Sequence, residues 1–275
     1  MSAWPLIVPA TPYLEVDAVL RELTDGVRVV LGPQLVGIYI YGSLTSGEFD
    51  RQSDIDVLVV TTDELSQELF SAVAAMHERI ARGDSWCVTQ LEVAYIPMHA
   101  LRTYDAASSV YPHLDRGTGE RLTMKEHWSD CVVQRKQLRE RGITLAGPHP
   151  STLIDPVSAE DLRQTMRDLL PRWGESVFND PAELRRRGSQ SYLVLSICRM
   201  LYTLETGAYT SKRQAADWAK TALDKKWSSL IDRAWNGRQH PDAEASAEDV
   251  SETLELMRYA VAAAEASESA ARIVD

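Results

Sequence analysis

Two short polar segments, each beside an apolar run, constrain the fold of this chain more than any other feature. The apolar run 35–41 predicts a buried strand, and a Gly-Ser turn follows it at once. A second apolar run, 55–60, begins with the acids Asp54 and Asp56. Alternate residues of a strand point to the same face, so these two carboxylates are expected side by side. Their mutual repulsion requires a cation beside them.

Magnesium is the cation that this pattern favours. It is hard, takes oxygen ligands, and is usually held by one or two carboxylates together with the phosphates of a substrate. The turn residues Gly42 and Ser43 offer backbone N–H groups and a hydroxyl that can hold such phosphates. Neither motif is specific alone, but the two in this order, between two strand-like runs, predict a phosphate site with a metal.

A third strand, predicted over 87–96, carries one further acid. Glu92 is isolated in a segment that otherwise looks buried. A carboxylate in such a place is costly unless it is paired or coordinates a metal. The alternative is an exposed acid on the solvent side of an edge strand.

The order of helix-like and strand-like segments predicts an α+β protein in two domains. The first, residues 1–155, mixes helices with strands and should form a mixed sheet with packed helices. Its further predicted parts are helices at 16–31, 66–82 and 125–141, a strand at 144–148 and a long loop at 110–120. The second, residues 156–275, shows only helical periodicity and should be an all-α bundle. Its predicted helices are 158–172, 190–206, 211–223, 226–236 and 246–269.

Composition limits the partners. The net charge of −11 disfavours binding to nucleic-acid backbones and favours cationic small molecules. No run reaches the roughly 18 apolar residues that a membrane span needs. Cys87, Cys131 and Cys198 are far apart, and residues 1–5 lack the pattern of a signal peptide. We therefore expect a cytoplasmic monomer with reduced thiols and no membrane or nucleic-acid partner.

The motifs together resemble the nucleotidyltransferase superfamily, whose signature is a strand, Gly-Ser, a spacer and Asp-x-Asp on the next strand. Within it, the chain resembles the aminoglycoside adenylyltransferases that modify streptomycin and spectinomycin. The resemblance spans nearly the whole length, and its elements occur in the family's order. They are Tyr41-Gly42-Ser43, Ser53-Asp54-Ile55-Asp56, Leu91-Glu92-Val93, 143–148, the junction 153–157, 193–199, 206–207, Ser211-Lys212 and 215–219.

The resemblance implies roles for the acids. Asp54 and Asp56 match magnesium ligands, and Glu92 should converge on them as the third acid. Glu92 matches the general base on the substrate hydroxyl, although a metal-ligand role stays open. Ser43 and Ser53 match residues near the triphosphate, beside the Gly-Ser turn.

It also implies roles for the helical domain. Lys212 matches a lysine that reaches the nucleotide phosphates, and Trp235 stands where the family has a tyrosine near the adenine. Trp173 matches an aromatic residue that faces the acceptor. The implied reaction moves AMP from ATP to a hydroxyl of a small molecule, with Mg²⁺, in a cleft between the domains.

Departures from the family leave the acceptor open. The run 185–187 is basic where an aminoglycoside site needs acids, and Ser189 stands near the position of a substrate-binding acid. One alternative is adenylylation of a different small molecule or a protein. A second is the nucleotidyltransferase of a toxin–antitoxin pair, which the chain's length opposes. A third is a helical RNA-binding module, suggested by the spacing of Arg233 and His240 and opposed by the acidic charge.

Overall fold

The computed structural model describes residues 10–105, 109–127 and 131–274, with side chains through residue 269. The expectation for residues 1–5 lies outside these ranges. The chain divides into two compact units, Met1–Pro156 and Val157–Asp275. None of the described helices is both long and apolar enough to cross a membrane.

A mixed six-stranded sheet organises the N-terminal unit. Its order is β5-β4-β3-β2-β1-β6, with β2 and β3 parallel and every other neighbouring pair antiparallel. The strands are β1 (Leu35–Ile40), β2 (Ile55–Thr61), β3 (Leu91–Pro97), β4 (Val110–Leu114), β5 (Leu122–Glu126) and β6 (Ile143–Ala146). The sequence-based expectation of a mixed sheet is thereby confirmed.

Helices cover both faces of this sheet. They are α1 (Leu14–Leu31), α2 (Ser43–Ser46), α3 (Gln67–Ile80), α4 (Met98–Arg102) and α5 (Cys131–Arg141). One face, with Val57 of β2, packs in the core that α1 and α3 supply. The other face, with Leu58, packs in the core that includes Leu101 of α4 and Leu138 of α5. Because strand residues alternate between faces, Asp56 shares the face of Leu58.

Two parts of the N-terminal unit depart most from the sequence-based expectation. Residues 87–90 belong to a 3-10 helix, Trp86–Gln90, and the strand starts only at Leu91. The reason is local: Ser85 Oγ accepts a hydrogen bond from the Cys87 amide, and the Val88 amide donates to the Ser85 carbonyl. These turn-forming bonds outweigh the strand preference of a Cys-Val-Thr run.

The segment 110–126 is the second difference. It was expected to be a loop running into a helix from residue 125, but it is the β4–β5 hairpin. In β5 only Leu122 is buried, so its edge position leaves no apolar alternation to detect. Helix α5 is described from Cys131; the part of the expected helix at 128–130 lies outside the described residues.

The C-terminal unit is all-helical, as expected. Its helices are α6 (Ala159–Asn179), α7 (Arg187–Thr206), α8 (Lys212–Ala222), α9 (Ser228–Gly237) and α10 (Ala247–Val274). Helix α6 starts at a capping box, in which Ser158 and Asp161 bond to each other's backbone amides. The middle of helix α7 is buried: Val194, Leu195 and Ile197 are fully enclosed.

Candidate active site

Three acids meet at one end of the two parallel strands. Asp54 lies just before β2, and Asp56 and Glu92 are partners in the β2–β3 register. One carboxylate oxygen from each lies within 4.8 Å of the others, and all three side chains are partly exposed. Three hard oxygen donors at this spacing suit a divalent cation such as Mg²⁺. The structure thus brings together the three acids that the sequence singled out.

The Gly-Ser turn closes against Asp56. Gly42 has φ +69°, and a Cβ there would lie 1.9 Å from Asp56 Oδ2, so only glycine fits. The Tyr41 amide donates to the Asp56 carbonyl, and Thr45 Oγ1 donates to the Gly42 carbonyl. Ser43 Oγ is buried and has no hydrogen-bond partner within the described ranges. An unused hydroxyl beside the acids is the kind of donor that a phosphate oxygen would satisfy.

Ser53 has a different local role. Its hydroxyl donates to Asp50 Oδ1 (3.0 Å) and accepts from the Asp50 amide (3.1 Å). The Gln52 amide also donates to Asp50 Oδ1. Ser53 therefore shapes the loop that delivers Asp54; its contact with a triphosphate stays a prediction.

The β4–β5 hairpin adds residues that sequence reasoning missed. Arg116 Nη1 donates to Asp54 Oδ1 at 2.6 Å and to the Gln52 carbonyl at 2.8 Å. His113, almost fully buried on β4, places Nε2 3.4 Å from Glu92 Oε1. Because the segment looked like a loop, its register against β3 could not be read. The last four residues of β4 are all buried, so no alternation of polar and apolar residues marked His113 in the sequence.

A second histidine, His127, lies beside His113. The His127 ring lies 5.1 Å from that of His113. Burial, reinforced by the positive charge that His113 can carry, lowers the pKa of His127 to about 4. His127 is therefore neutral near pH 7. Asp115 Oδ1 lies 3.5 Å from the same His113 Nε2, and Asp115 also pairs with Lys125.

In the helical unit, Trp173 and Lys212 share a neighbour. Trp173 stacks on Tyr192, with ring centroids 6.2 Å apart and an interplanar angle of 26°. Lys212 Nζ lies 5.2 Å from the centroid of the same Tyr192 ring. Tyr192 is half exposed. Nothing in the sequence pattern marked Tyr192.

Trp235 is half-buried between basic side chains. The guanidinium carbons of Arg213 and Arg238 lie 5.0 and 4.8 Å from its ring centroid. This cation–π arrangement fixes the indole. Its proposed neighbour, the adenine, stays a prediction.

Acidic partners neutralise most of the basic run 185–187. Arg187 donates to the buried Asp249 at 2.7 Å, and Arg186 pairs with Asp242 at 3.8 Å. Arg185 is exposed. Two of the three positive charges are therefore matched by carboxylates of the same unit.

Comparison with known proteins gives the family. Residues 27–108 match the family model described as nucleotidyltransferase domain, and residues 152–263 match that of the aminoglycoside adenylyltransferase C-terminal domain. A spectinomycin 9-adenylyltransferase from Staphylococcus aureus is 30% identical over 220 residues, covering 77% of this chain and 80% of the relative. The chain belongs to the aminoglycoside adenylyltransferase family.

Two further likenesses agree with that membership. An aminoglycoside (3'') (9) adenylyltransferase from Shigella flexneri is 27% identical over 227 residues, covering 79% of this adenylyltransferase and 83% of the relative. The solved spectinomycin adenyltransferase AAD(9) from Enterococcus faecialis, with ATP and spectinomycin, superposes with a TM-score of 0.68. The superposition covers 90% of this chain and 98% of the solved chain at 16% sequence identity, so this likeness supports the fold alone. The expected two-part fold and adenylyltransferase class are confirmed.

Proposed function

We propose that this adenylyltransferase moves AMP from ATP to a hydroxyl group of an aminoglycoside of the spectinomycin or streptomycin type, with Mg²⁺. The observation that carries the proposal is the convergence of Asp54, Asp56 and Glu92 beside the Gly-Ser turn. The proposed acceptor also rests on relatives that are named for spectinomycin and share about four fifths of their length with this chain.

Asp54 and Asp56 would hold the metal, with looser contact from Glu92. A bound divalent ion would neutralise phosphate charge and stabilise the leaving group. The Ser43 hydroxyl, without a partner within the described ranges, would donate to a phosphate oxygen. Gly42 keeps that turn close to Asp56, which no larger residue would allow.

Glu92 would act as general base. Its carboxylate accepts the proton of the acceptor hydroxyl, whose oxygen forms a bond to the α-phosphorus as the bond to pyrophosphate breaks. The products are the adenylylated acceptor and pyrophosphate. A carboxylate cannot bind a metal tightly and take up a proton at the same moment, so the base role requires a loose metal contact. His113 Nε2 lies 3.4 Å from Glu92 Oε1, so a second polar group stands beside the proposed base.

Three residues of the helical unit complete the proposal. Lys212 would supply a positive charge to the nucleotide phosphates, Trp235 would lie near the adenine, and Trp173 would face the acceptor. The stacking of Trp173 on Tyr192, with Lys212 beside the same ring, supports a shared ligand-binding face. Replacing Lys212 with Gln should raise the KM for ATP more than the KM for the acceptor.

The alternatives are less well supported. A non-aminoglycoside acceptor was favoured by the basic run 185–187, but Asp242 and Asp249 match two of its charges. The spacing of Arg233 and His240, which suggested an RNA-binding module, has a structural explanation. The Arg233 guanidinium pairs with Asp249 and Glu252 of the same unit. A toxin–antitoxin nucleotidyltransferase is not favoured, since the C-terminal half matches the adenylyltransferase C-terminal domain.

The direct test is pyrophosphate release from ATP with spectinomycin, streptomycin and kanamycin in turn, with Mg²⁺ and with chelator. We expect release with at least one of the first two, only with metal, and a product heavier than the antibiotic by one adenylyl group. Asp56→Asn should abolish release and keep the circular dichroism spectrum of the wild type. Release that is equal with Asp56→Asn, or no release with any aminoglycoside, would contradict the proposal.

A further inference from the structure

Arg116 places a cation on one of the three acids of the site. Its Nη1 bonds to Asp54 Oδ1 at 2.6 Å and to the Gln52 carbonyl at 2.8 Å, so the guanidinium bridges the carboxylate and the loop before it. Both side chains are partly exposed, at 38% and 29%. The contact is thus open to solvent and can be exchanged.

The loop that carries Arg116 is anchored directly behind it. The Gly117 amide donates to the Thr89 carbonyl at 3.0 Å, which ties the loop to the 3-10 helix before β3. Gly117 has φ +144° and Gly119 has φ +82°, conformations that glycine adopts without strain. The loop backbone is therefore held near the start of β3 at the residue after Arg116, while the Arg116 side chain is held only by its bonds to Asp54 and Gln52.

The electrostatics of the site set two cations in competition. Asp54, Asp56 and Glu92 carry three negative charges within 4.8 Å, and Arg116 offsets one of them. A divalent ion that takes Asp54 as a ligand competes with Arg116 for the negative charge of that carboxylate. Charge-assisted hydrogen bonds are stronger than neutral ones, so this exchange has a measurable free-energy cost.

We propose that Arg116 is an exchangeable counter-ion of the active site, an inference that rests on the proposed function. It holds Asp54 until a divalent metal takes that carboxylate, and it then turns to the phosphates that the metal accompanies. Those phosphates lie within reach because one metal ion binds the carboxylates and a phosphate together. A guanidinium there stabilises the negative charge that develops on the leaving pyrophosphate.

The test compares Arg116→Gln with Arg121→Gln, which removes an exposed arginine from the same loop. Calorimetry with Mn²⁺ alone measures metal affinity without nucleotide, and a pyrophosphate assay measures kcat and the Mg²⁺ concentration for half-maximal rate. For Arg116→Gln we expect roughly 3- to 10-fold tighter Mn²⁺ binding. We also expect kcat to fall by about 10- to 1,000-fold. Arg121→Gln should match the wild type in both.

A third variant separates charge from geometry. Arg116→Lys keeps one positive charge but loses the planar fork, so its metal affinity should stay near the wild-type value while kcat falls. If the wild type transfers AMP and Arg116→Gln leaves both metal measurements unchanged, this inference is wrong and the proposed function stands. Weaker metal binding in Arg116→Gln, or tighter binding with unchanged kcat, would also overturn it. If the wild type neither binds Mn²⁺ nor transfers AMP, the proposed function itself fails.

Discussion

Gly42 shows how closely backbone and acid approach each other at the site. A methyl group at this position would meet Asp56 Oδ2 at 1.9 Å, and its φ of +69° is unfavourable for other residues. Gly47 offers a control for a positive φ without a clash, because its φ is +75° and no described atom would lie within 4 Å of an added Cβ. Gly42 combines such a clash with a backbone, φ +69° and ψ −142°, that lies outside the left-handed region of Gly47.

We expect Gly47→Ala to lose about 1 kcal/mol of stability from its left-handed backbone. Gly42→Ala should lose more, because its backbone (φ +69°, ψ −142°) is open only to glycine and its Cβ would clash with Asp56. The Gly42→Ala variant should also lose at least roughly 100-fold in kcat/KM, because Asp56 must move. Urea unfolding and a rate assay measure the two effects. Equal activity of the two variants would show that the turn does not position Asp56.

Glu92 has two candidate roles that one substitution distinguishes. If Glu92 is the general base, Glu92→Gln should preserve ATP binding and slow transfer by roughly 10²–10⁴-fold. If Glu92 is a tight metal ligand, the same substitution should weaken the binding of ATP with Mg²⁺. Calorimetry with ATP and Mg²⁺, beside single-turnover rates, measures both quantities. Lost nucleotide binding would assign Glu92 chiefly to the metal.

At the scale of elements, sequence reasoning succeeded where apolar periodicity was strong. Strands β1 and β2 are almost fully buried, and the acids that flank β2 stand out against them. It failed at the β4–β5 hairpin, where a proline and two glycines suggested a loop and an edge strand showed one buried residue. The missed contacts of Arg116 and His113 follow from that failure, because pairing between distant strands sets them.

The helical unit contains a buried charge network that connects three helices. Asp249 of α10 accepts hydrogen bonds from Arg187 of α7 and Arg233 of α9, and its own side chain is only 3% exposed. Burial pushes the pKa of Asp249 up, but bonds from Arg233, Arg187 and Ser246 outweigh it and hold the pKa at about 2. The arginines therefore have a structural partner, which their sequence spacing did not reveal.

Asp249→Asn should destabilise the protein by about 3 kcal/mol, because it removes the buried carboxylate that Arg187 and Arg233 share. The control is Asp242→Asn, whose exposed pair with Arg186 should contribute no more than about 0.5 kcal/mol. Urea unfolding followed by circular dichroism measures both. A loss for Asp249→Asn as small as the control's would mean that the network is not a significant source of stability.

At the scale of the whole molecule, the class of chemistry was more predictable from the sequence than the full set of candidate binding residues. The two-part fold follows from the change in periodicity near residue 156, and the acids follow from short motifs. Tyr192 and Arg116 could not be predicted, since one is an exposed aromatic on a helix and the other lies on a loop far from Asp54 in sequence. The net charge of −11 agrees with a cationic acceptor.

The two units should respond differently to acid. In the N-terminal unit, burial lowers the pKa of His77 from 6.5 to about 4, and its Nε2 bonds to Tyr95 Oη at 2.7 Å. The unfolded chain therefore binds the proton more readily between these pH values, so stability falls as the pH drops from about 6.5 to about 4. The full loss from His77 is about 3 kcal/mol. His127, whose pKa burial also lowers to about 4, adds to the loss in the same unit. Asp249 in the helical unit loses its contribution only below about pH 4.

Hydrogen exchange read by mass spectrometry at pH 7.5 and 5.0 tests this order, after correction for intrinsic exchange rates. We expect peptides from α3 and β3 to lose protection at pH 5.0, while those from α7 and α10 keep it. His77→Gln, which cannot take up a proton, should restore protection in α3, whereas the exposed-site control His240→Gln should not. Earlier loss in the helical unit, or an unchanged response in His77→Gln, would show that burial of His77 does not govern acid stability.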